Sequence, residues 1–230
     1  MAGRVFAITG ASGALGSAVA KAVAAQGHRL ALIDHARHTP HGLIDGDDCL
    51  ILGGVDLTDA ASATAAIEAA AARFGGLDVV LNIAGGFSWE TVEGGAADTW
   101  QKMFSLNVQT AANVSRAAIP HLKRSKAGRI VNVGANGAVK AGLGMAAYAA
   151  SKAGVHRLTE ALAEELKTDG VTVNAVMPSI LDTPANRADM PKADLTTWVR
   201  PEELAAVMLF LASPQASAVT GALIPVTGRV

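Results

Sequence analysis

Seven short apolar runs punctuate the chain: RVFAIT (4–9), RLALID (29–34), CLILGG (49–54), LDVVLNIAG (77–85), GRIVNVG (128–134), VTVNAVMP (171–178) and GALIPV (221–226). Most are apolar throughout rather than alternating, as expected of strands buried on both faces of a parallel sheet. Alanine-rich segments with apolar residues three and four positions apart separate them, at roughly 14–26, 59–73, 97–123, 146–168 and 201–212. That period predicts helices. Strand and helix in regular alternation predict an α/β fold: a single-domain Rossmann architecture with a doubly wound, seven-stranded parallel sheet and helices on both faces. No shift in composition marks a second domain over residues 1–230, and the weakly periodic stretch 179–200, with Pro184, Pro191 and Trp198, reads as a loop over a substrate.

Composition narrows the class further. Half of the 230 residues are hydrophobic and 17% are charged, with a formal net charge of -1. A sizeable core can be buried, and neither the balance nor any basic stripe calls for a nucleic-acid partner. No run approaches the ~18 apolar residues of a membrane span. The amino-terminal segment lacks the long apolar region and cleavage site of a signal peptide, and the single Cys49 cannot form an internal disulfide. A soluble, cytoplasmic protein acting on a small molecule is expected. His35, His38 and His41 lie close together, but with no cysteine or second ligand cluster nearby they read as a solvated loop rather than a metal site.

In ITGASGALGSAVA, Gly10, Gly13 and Gly16 follow the first strand and open the first helix. Glycines at such a turn let the backbone approach a pyrophosphate, and the free N–H groups of the helix start attract its charge. The placement, more than the bare spacing, points to a dinucleotide. Asp34 ends the second strand, where an acidic side chain bonds the adenosine ribose hydroxyls and repels a 2′-phosphate. NAD is therefore expected ahead of NADP, with Arg37 and the neighbouring histidines as features that favour the opposite choice.

Tyr148 is the only tyrosine, and Lys152 follows four positions later in a helical segment, on the same face. A phenol of pKa ~10 is a poor acid or base at neutral pH. A neighbouring ammonium favours the phenolate, and the sequence predicts that Lys152 lowers the Tyr148 pKa in this way.

These features, with NIAG (82–85), SLNV (105–108), YAASK (148–152) and NAVMPSILDT (174–183), resemble the short-chain dehydrogenase/reductase family over essentially the whole chain. The resemblance implies a nicotinamide cofactor, Tyr148 as proton donor or acceptor, Lys152 on the ribose, and Asn107 anchoring a water in a proton relay. It also implies cofactor contacts from Ser12, Leu15, Asp56, Leu57, Asn82, Ala84, Gly85, Pro178 and Thr183, and a homodimer or homotetramer. Two positions depart from the family pattern. Its second turn glycine falls one place later, where this chain has Ala14, and its serine thirteen residues before the tyrosine is Ala135.

A narrower set of segments, GALGS (13–17), AGG (84–86), GMAAYAASKAGVHRL (144–158) and LDTPANRADMPKADLTTWVRPEE (181–203), resembles dihydropteridine reductases and their bacterial relatives, which share both departures. A quinonoid dihydropterin takes its proton on nitrogen, so a second hydroxyl facing a developing alkoxide is less needed. Three readings stay open: a pterin-like or quinonoid substrate, another carbonyl, enone or alcohol, and a catalytically silent NAD(H)-binding sensor. Phe87, Trp89 and Trp198 are candidates for the walls of a flat-ring pocket or for aromatic caps on the core.

Overall fold

The computed structural model describes residues 3–37 and 46–230. His38 and His41 lie outside the described residues. Strands β1 (Val5–Thr9), β2 (Arg29–Asp34), β3 (Cys49–Gly53), β4 (Val79–Asn82), β5 (Arg129–Val133), β6 (Thr172–Pro178) and β7 (Leu223–Val226) form one sheet in the order β3, β2, β1, β4, β5, β6, β7. Every neighbouring pair is parallel. Each lies within an apolar run; RLALID coincides with β2, and the other runs exceed their strands by a residue or more at one or both ends.

Alternation along each strand divides the core into two layers, as the pleat requires. Val5, Ala7, Ala31 and Ile33 pack against α2 (Ala60–Phe74), α4 (Thr110–Leu122) and α5 (Ala146–Leu166), through Ile67, Phe74, Val114, Leu122 and Leu162. Phe6, Ile8, Leu30 and Leu32 face the other way, onto α1 (Ala14–Ala25) and α7 (Pro201–Ala212), through Val19, Val23, Leu204 and Met208. Ile8, Ile67 and Leu81 are completely buried, and truncating such a side chain to alanine costs ~2–5 kcal/mol.

Two segments differ from the sequence expectation. Residues 97–123 are not one helix but α3 (Thr99–Phe104), a π-helical turn (Ser105–Gln109) and α4. A π turn adds one residue and leaves the flanking apolar pattern nearly intact, so periodicity does not register it. The stretch 179–200 is more ordered than a plain loop. It carries α6 (Pro184–Asp189), capped by the Thr183 hydroxyl, and is tied back by a Leu181–Val199 bridge. Trp198 there is buried and lines a cavity with Leu195 and Val226, separate from the one at the glycine turn.

The chain runs outward from β1 through β2 to β3, then returns to the far side of β1 as β4. Connections leaving β1 and β4 therefore diverge, and in open α/β sheets a crevice opens at that switch point, beyond the carboxyl ends of the strands.

Candidate active site

A cavity of about 1010 Å³ occupies this crevice. Its floor is the turn after β1, where steric limits explain two of the three glycines. Gly10 has φ of +65°, and a Cβ there would lie 2.9 Å from the Ala84 backbone. A Cβ on Gly16 would overlap the Gly10 carbonyl oxygen. Gly13 is different: a Cβ would meet the Gly10 oxygen at an ordinary 3.4 Å, and both Gly13 and Ala14 are exposed to the cavity. The displaced glycine therefore leaves the close approaches intact. Helix α1 begins at Gly13 with no side-chain cap and no acidic residue in its first turn, so its leading N–H groups are free to meet an anion. Gly10 and Gly16 thus let the turn pack tightly against the Ala84 backbone and the start of α1, which keeps the leading residues of that helix at the cavity lining. Thr9 stiffens the floor by accepting hydrogen bonds from the Ile83 and Ala84 N–H groups, at 3.0 and 3.1 Å.

At one end of the crevice, both Asp34 oxygens are held by main-chain donors, Ser12 N–H and Ala36 N–H, each at 2.8 Å. Asp56 lies on the same rim, its acidity increased by hydrogen bonds from the Thr58 hydroxyl and N–H. Gln109 and Asn113 fix this rim by donating to the Thr58 carbonyl.

The other end is built by α5. Tyr148, Lys152 and His156 follow one another at successive turns of this helix. Lys152 is buried and donates from Nζ to the Val133 carbonyl at 2.8 Å, at the point where β5 enters the crevice wall. The Phe87 ring stands edge-on to Tyr148 with centroids 4.8 Å apart. Burial pushes the phenol up to about 12 and the ammonium down to about 8. The expectation that Lys152 acidifies Tyr148 is thus corrected. Desolvation disfavours charge on both groups, and the ammonium is engaged by a carbonyl.

Asn107 sits in the π turn, buried, with each amide atom engaged. Its Oδ1 accepts from Gly86 N–H at 3.0 Å, and its Nδ2 donates to Gly86 O at 3.1 Å and to Ser151 Oγ at 2.9 Å. Ser151 in turn donates to the Tyr148 carbonyl at 2.7 Å. Gly85 is required where the chain passes this cluster, because a Cβ would come 2.5 Å from Asn107 Oδ1 and 3.4 Å from Lys152 Nζ. Beneath it, Asn82 Nδ2 donates to Ser115 Oγ and to Asn132 Oδ1, and Asn132 passes the chain on to Thr159.

Of the residues singled out from the sequence, Gly10, Ser12, Gly13, Leu15, Gly16, Asp34, Asp56, Leu57, Ala84, Gly85 and Thr183 line the cavity. Lys152 and Asn107 reach its wall through Val133 and Gly85, and Tyr148 stands beside Phe87 just past it. Asn82 is engaged below the floor, and Pro178 ends β6 outside the lining. Leu181 and Pro184, within the stretch expected to cover a substrate, also line the cavity, whereas the sequence reading does not single out Val133, on the cavity wall, or Ser151, which braces Asn107. Nothing in their local pattern distinguishes them from strand-end and helix residues. Ala135 is buried at the start of a short 3-10 turn (Asn136–Ala138), and no hydroxyl stands there.

A crevice of this shape, with a glycine cradle at one end and a tyrosine–lysine helix at the other, defines a dinucleotide-dependent oxidoreductase fold. The family model described as short chain dehydrogenase matches residues 4–194, and the chain belongs to that family. It is 36% identical to a 2,5-dichloro-2,5-cyclohexadiene-1,4-diol dehydrogenase, LinX, of Sphingobium indicum, covering 99% of this chain and 96% of that protein. It is 30% identical to the 3-oxoacyl-[acyl-carrier-protein] reductase FabG of Vibrio cholerae, covering 98% and 96%. Among solved structures, a 3-ketoacyl-(acyl-carrier-protein) reductase of Brucella melitensis complexed with NADH superposes with a TM-score of 0.87 at 30% identity, covering 99% of this chain and 98% of that one. These relatives are named as dehydrogenases and reductases, which does not favour a catalytically silent sensor.

Among the described residues, no group of three or more His, Cys, Asp or Glu could hold a metal ion, and no helix is long and apolar enough to cross a membrane.

Proposed function

We propose that this chain is an NAD(H)-linked oxidoreductase for a small, conjugated ring substrate, carbonyl or quinonoid, with Tyr148 as the proton donor. When bound, the dinucleotide supplies the hydride. The cradle at Gly10, Gly13 and Gly16 would take the diphosphate, Asp34 the adenosine ribose, and Lys152 the ribose nearer the reacting ring. Thr183 stands on the crevice wall where a carboxamide would lie. Asp34 supports NAD over NADP: its carboxylate is fixed at the rim by two N–H donors and would repel a 2′-phosphate.

One observation carries the reading: Tyr148 stands edge-on to Phe87, one helical turn before Lys152, whose ammonium is held by the carbonyl of Val133 on the cavity wall. Burial keeps the phenol protonated and makes it a weaker acid than a free one, so it would give up its proton only to a strongly basic developing anion. Phe87 and Trp89 are both more than half exposed beside it, and they offer aromatic walls to a flat ring. With Ala135 in place of a hydroxyl, a substrate alkoxide would have one donor fewer. A ring that spreads its charge, or takes its proton on nitrogen, tolerates that loss better. The cyclic diol in the name of the Sphingobium relative supports the same direction.

The deciding experiment measures NADH oxidation against chemically generated quinonoid dihydropterin, cyclic enones and cyclic ketones, beside open-chain 3-oxo esters, for the parent and Ala135→Ser. We expect the ring substrates to lead by at least about tenfold in kcat/KM, and the serine to raise ketone turnover without changing that of the pterin. Preference for open-chain esters would overturn the proposal.

A further inference from the structure

His156 is the one buried titratable side chain near Tyr148 to which the proposed chemistry gives no part. It is 3% exposed, one helical turn beyond Lys152. Its Nε2 accepts a hydrogen bond from the Ala135 N–H at 3.3 Å. The ring lies so close to Gly134 that a Cβ there would collide with Nε2 and Cδ2, so only a glycine admits it. Three consecutive residues at the exit of β5 are thus held. Val133 O takes the Lys152 ammonium, Gly134 N–H bonds the Val176 carbonyl at 2.9 Å, and Ala135 N–H bonds His156.

We infer that His156 is a positioning residue: as an uncharged acceptor it anchors the Ala135 N–H, and with it the strand exit that carries the Val133 carbonyl to Lys152. The inference rests on the roles given above to Tyr148 and Lys152. The anchored N–H belongs to Ala135, the position where the family pattern has a serine.

The geometry fixes the tautomer. Nε2 accepts, so the ring proton is on Nδ1. Burial and the charges of Arg157 and Lys152 favour the uncharged ring, opposed by Glu160; all three charged groups are on α5, while β5 presents Gly134 and Ala135. An imidazolium would carry a proton on Nε2, facing the Ala135 N–H, and the anchor would be lost.

The test compares His156→Leu, which fills the space without an acceptor, with His156→Gln, which keeps an uncharged acceptor. With the best ring substrate, His156→Leu should lower kcat about tenfold to a hundredfold, as misplacement of a reacting group does. KM should stay within about threefold. His156→Gln should rescue most of the lost kcat and abolish the acid-side fall in kcat that is expected of the parent below the ordinary histidine range. A purely structural role would lower the melting temperature of both variants and leave the parent's pH profile in place, which overturns the inference. Should the variants not fold, 15N-histidine spectra of the parent decide: an unprotonated Nε2 at neutral pH supports the anchor, and a protonated one removes it. Those spectra require no substrate. A parent that turns over nothing therefore counts against the proposed function alone, and the tautomer still judges His156.

Discussion

The two ends of the crevice are made differently. At the end proposed for the diphosphate, the shape depends on what is missing: Gly10 and Gly16 have no Cβ to push the backbone apart, and the first turn of α1 has no capping side chain. At the reactive end, it comes from what is present. Tyr148, Lys152, Ser151 and His156 project from one helix, where the Val133 carbonyl holds Lys152, the Ala135 N–H bonds His156 and the Asn107 amide donates to Ser151. A site made of absences is damaged by adding a methyl group. A site made of side chains is damaged by removing an atom, and its acid–base behaviour depends on burial.

Breaking the reactive end should have the larger effect. Tyr148→Phe removes the proton donor and should lower kcat by ~10²–10⁴, with NADH affinity measured by fluorescence titration staying within about threefold. A variant as fast as the parent would show that the phenol is a bystander. Gly10→Ala strikes the other end. Positive φ and the 2.9 Å approach to Ala84 together should cost about 3 kcal/mol in urea unfolding, and NADH binding should weaken as well. Unchanged binding would mean that the diphosphate lies elsewhere.

The pH dependence of stability sharpens the contrast, because only the reactive end has strongly shifted groups. Lys152 ionises at about 8 in the folded chain against 10.5 unfolded, so the unfolded state holds more protons between those values. The burial penalty is complete below about pH 8 and fades as pH rises toward 10.5. Parent stability relative to Lys152→Met should therefore rise by about 2 kcal/mol from pH 7.5 to 9.5. Tyr148, raised from 10.0 to about 12, acts with the opposite sign and only above that window. A flat difference would place the ammonium in water. The smallest effect is expected at the rim. Asp34→Ser should shift the preference between NADH and NADPH about tenfold toward NADPH, read from the two dissociation constants.

The same contrast explains what could be read from the sequence. The glycine turn and the Tyr148–Lys152 pair are local patterns, separated by a few residues within single elements, and spacing reveals them. Asn107 was singled out only through family resemblance. Its orientation depends on a π turn that a hydrophobic pattern does not show, and on Gly86, 21 residues away. The pKa of Tyr148 was misjudged because an i,i+4 spacing says nothing about desolvation, which comes from packing between separate segments. The part played by His156 cannot be read from spacing either, because its partner, the Ala135 N–H, lies 21 residues earlier, on a different element. The division of 97–123 was hidden for the reason Asn107 was: the inserted residue preserves the apolar period on either side.

The amide pair under the cavity floor has one further consequence. Apart from Asn82, Arg129 and Asn132, VVLN and RIVNV are apolar and could slip past each other by two residues while still burying oily side chains on both faces. Slippage would, however, pull Asn82 away from Asn132 and strand two amides in the interior. The pair thus acts as an alignment key between β4 and β5, penalising misthreaded sheets during folding and keeping the two strand tips that flank the reaction chamber at one height.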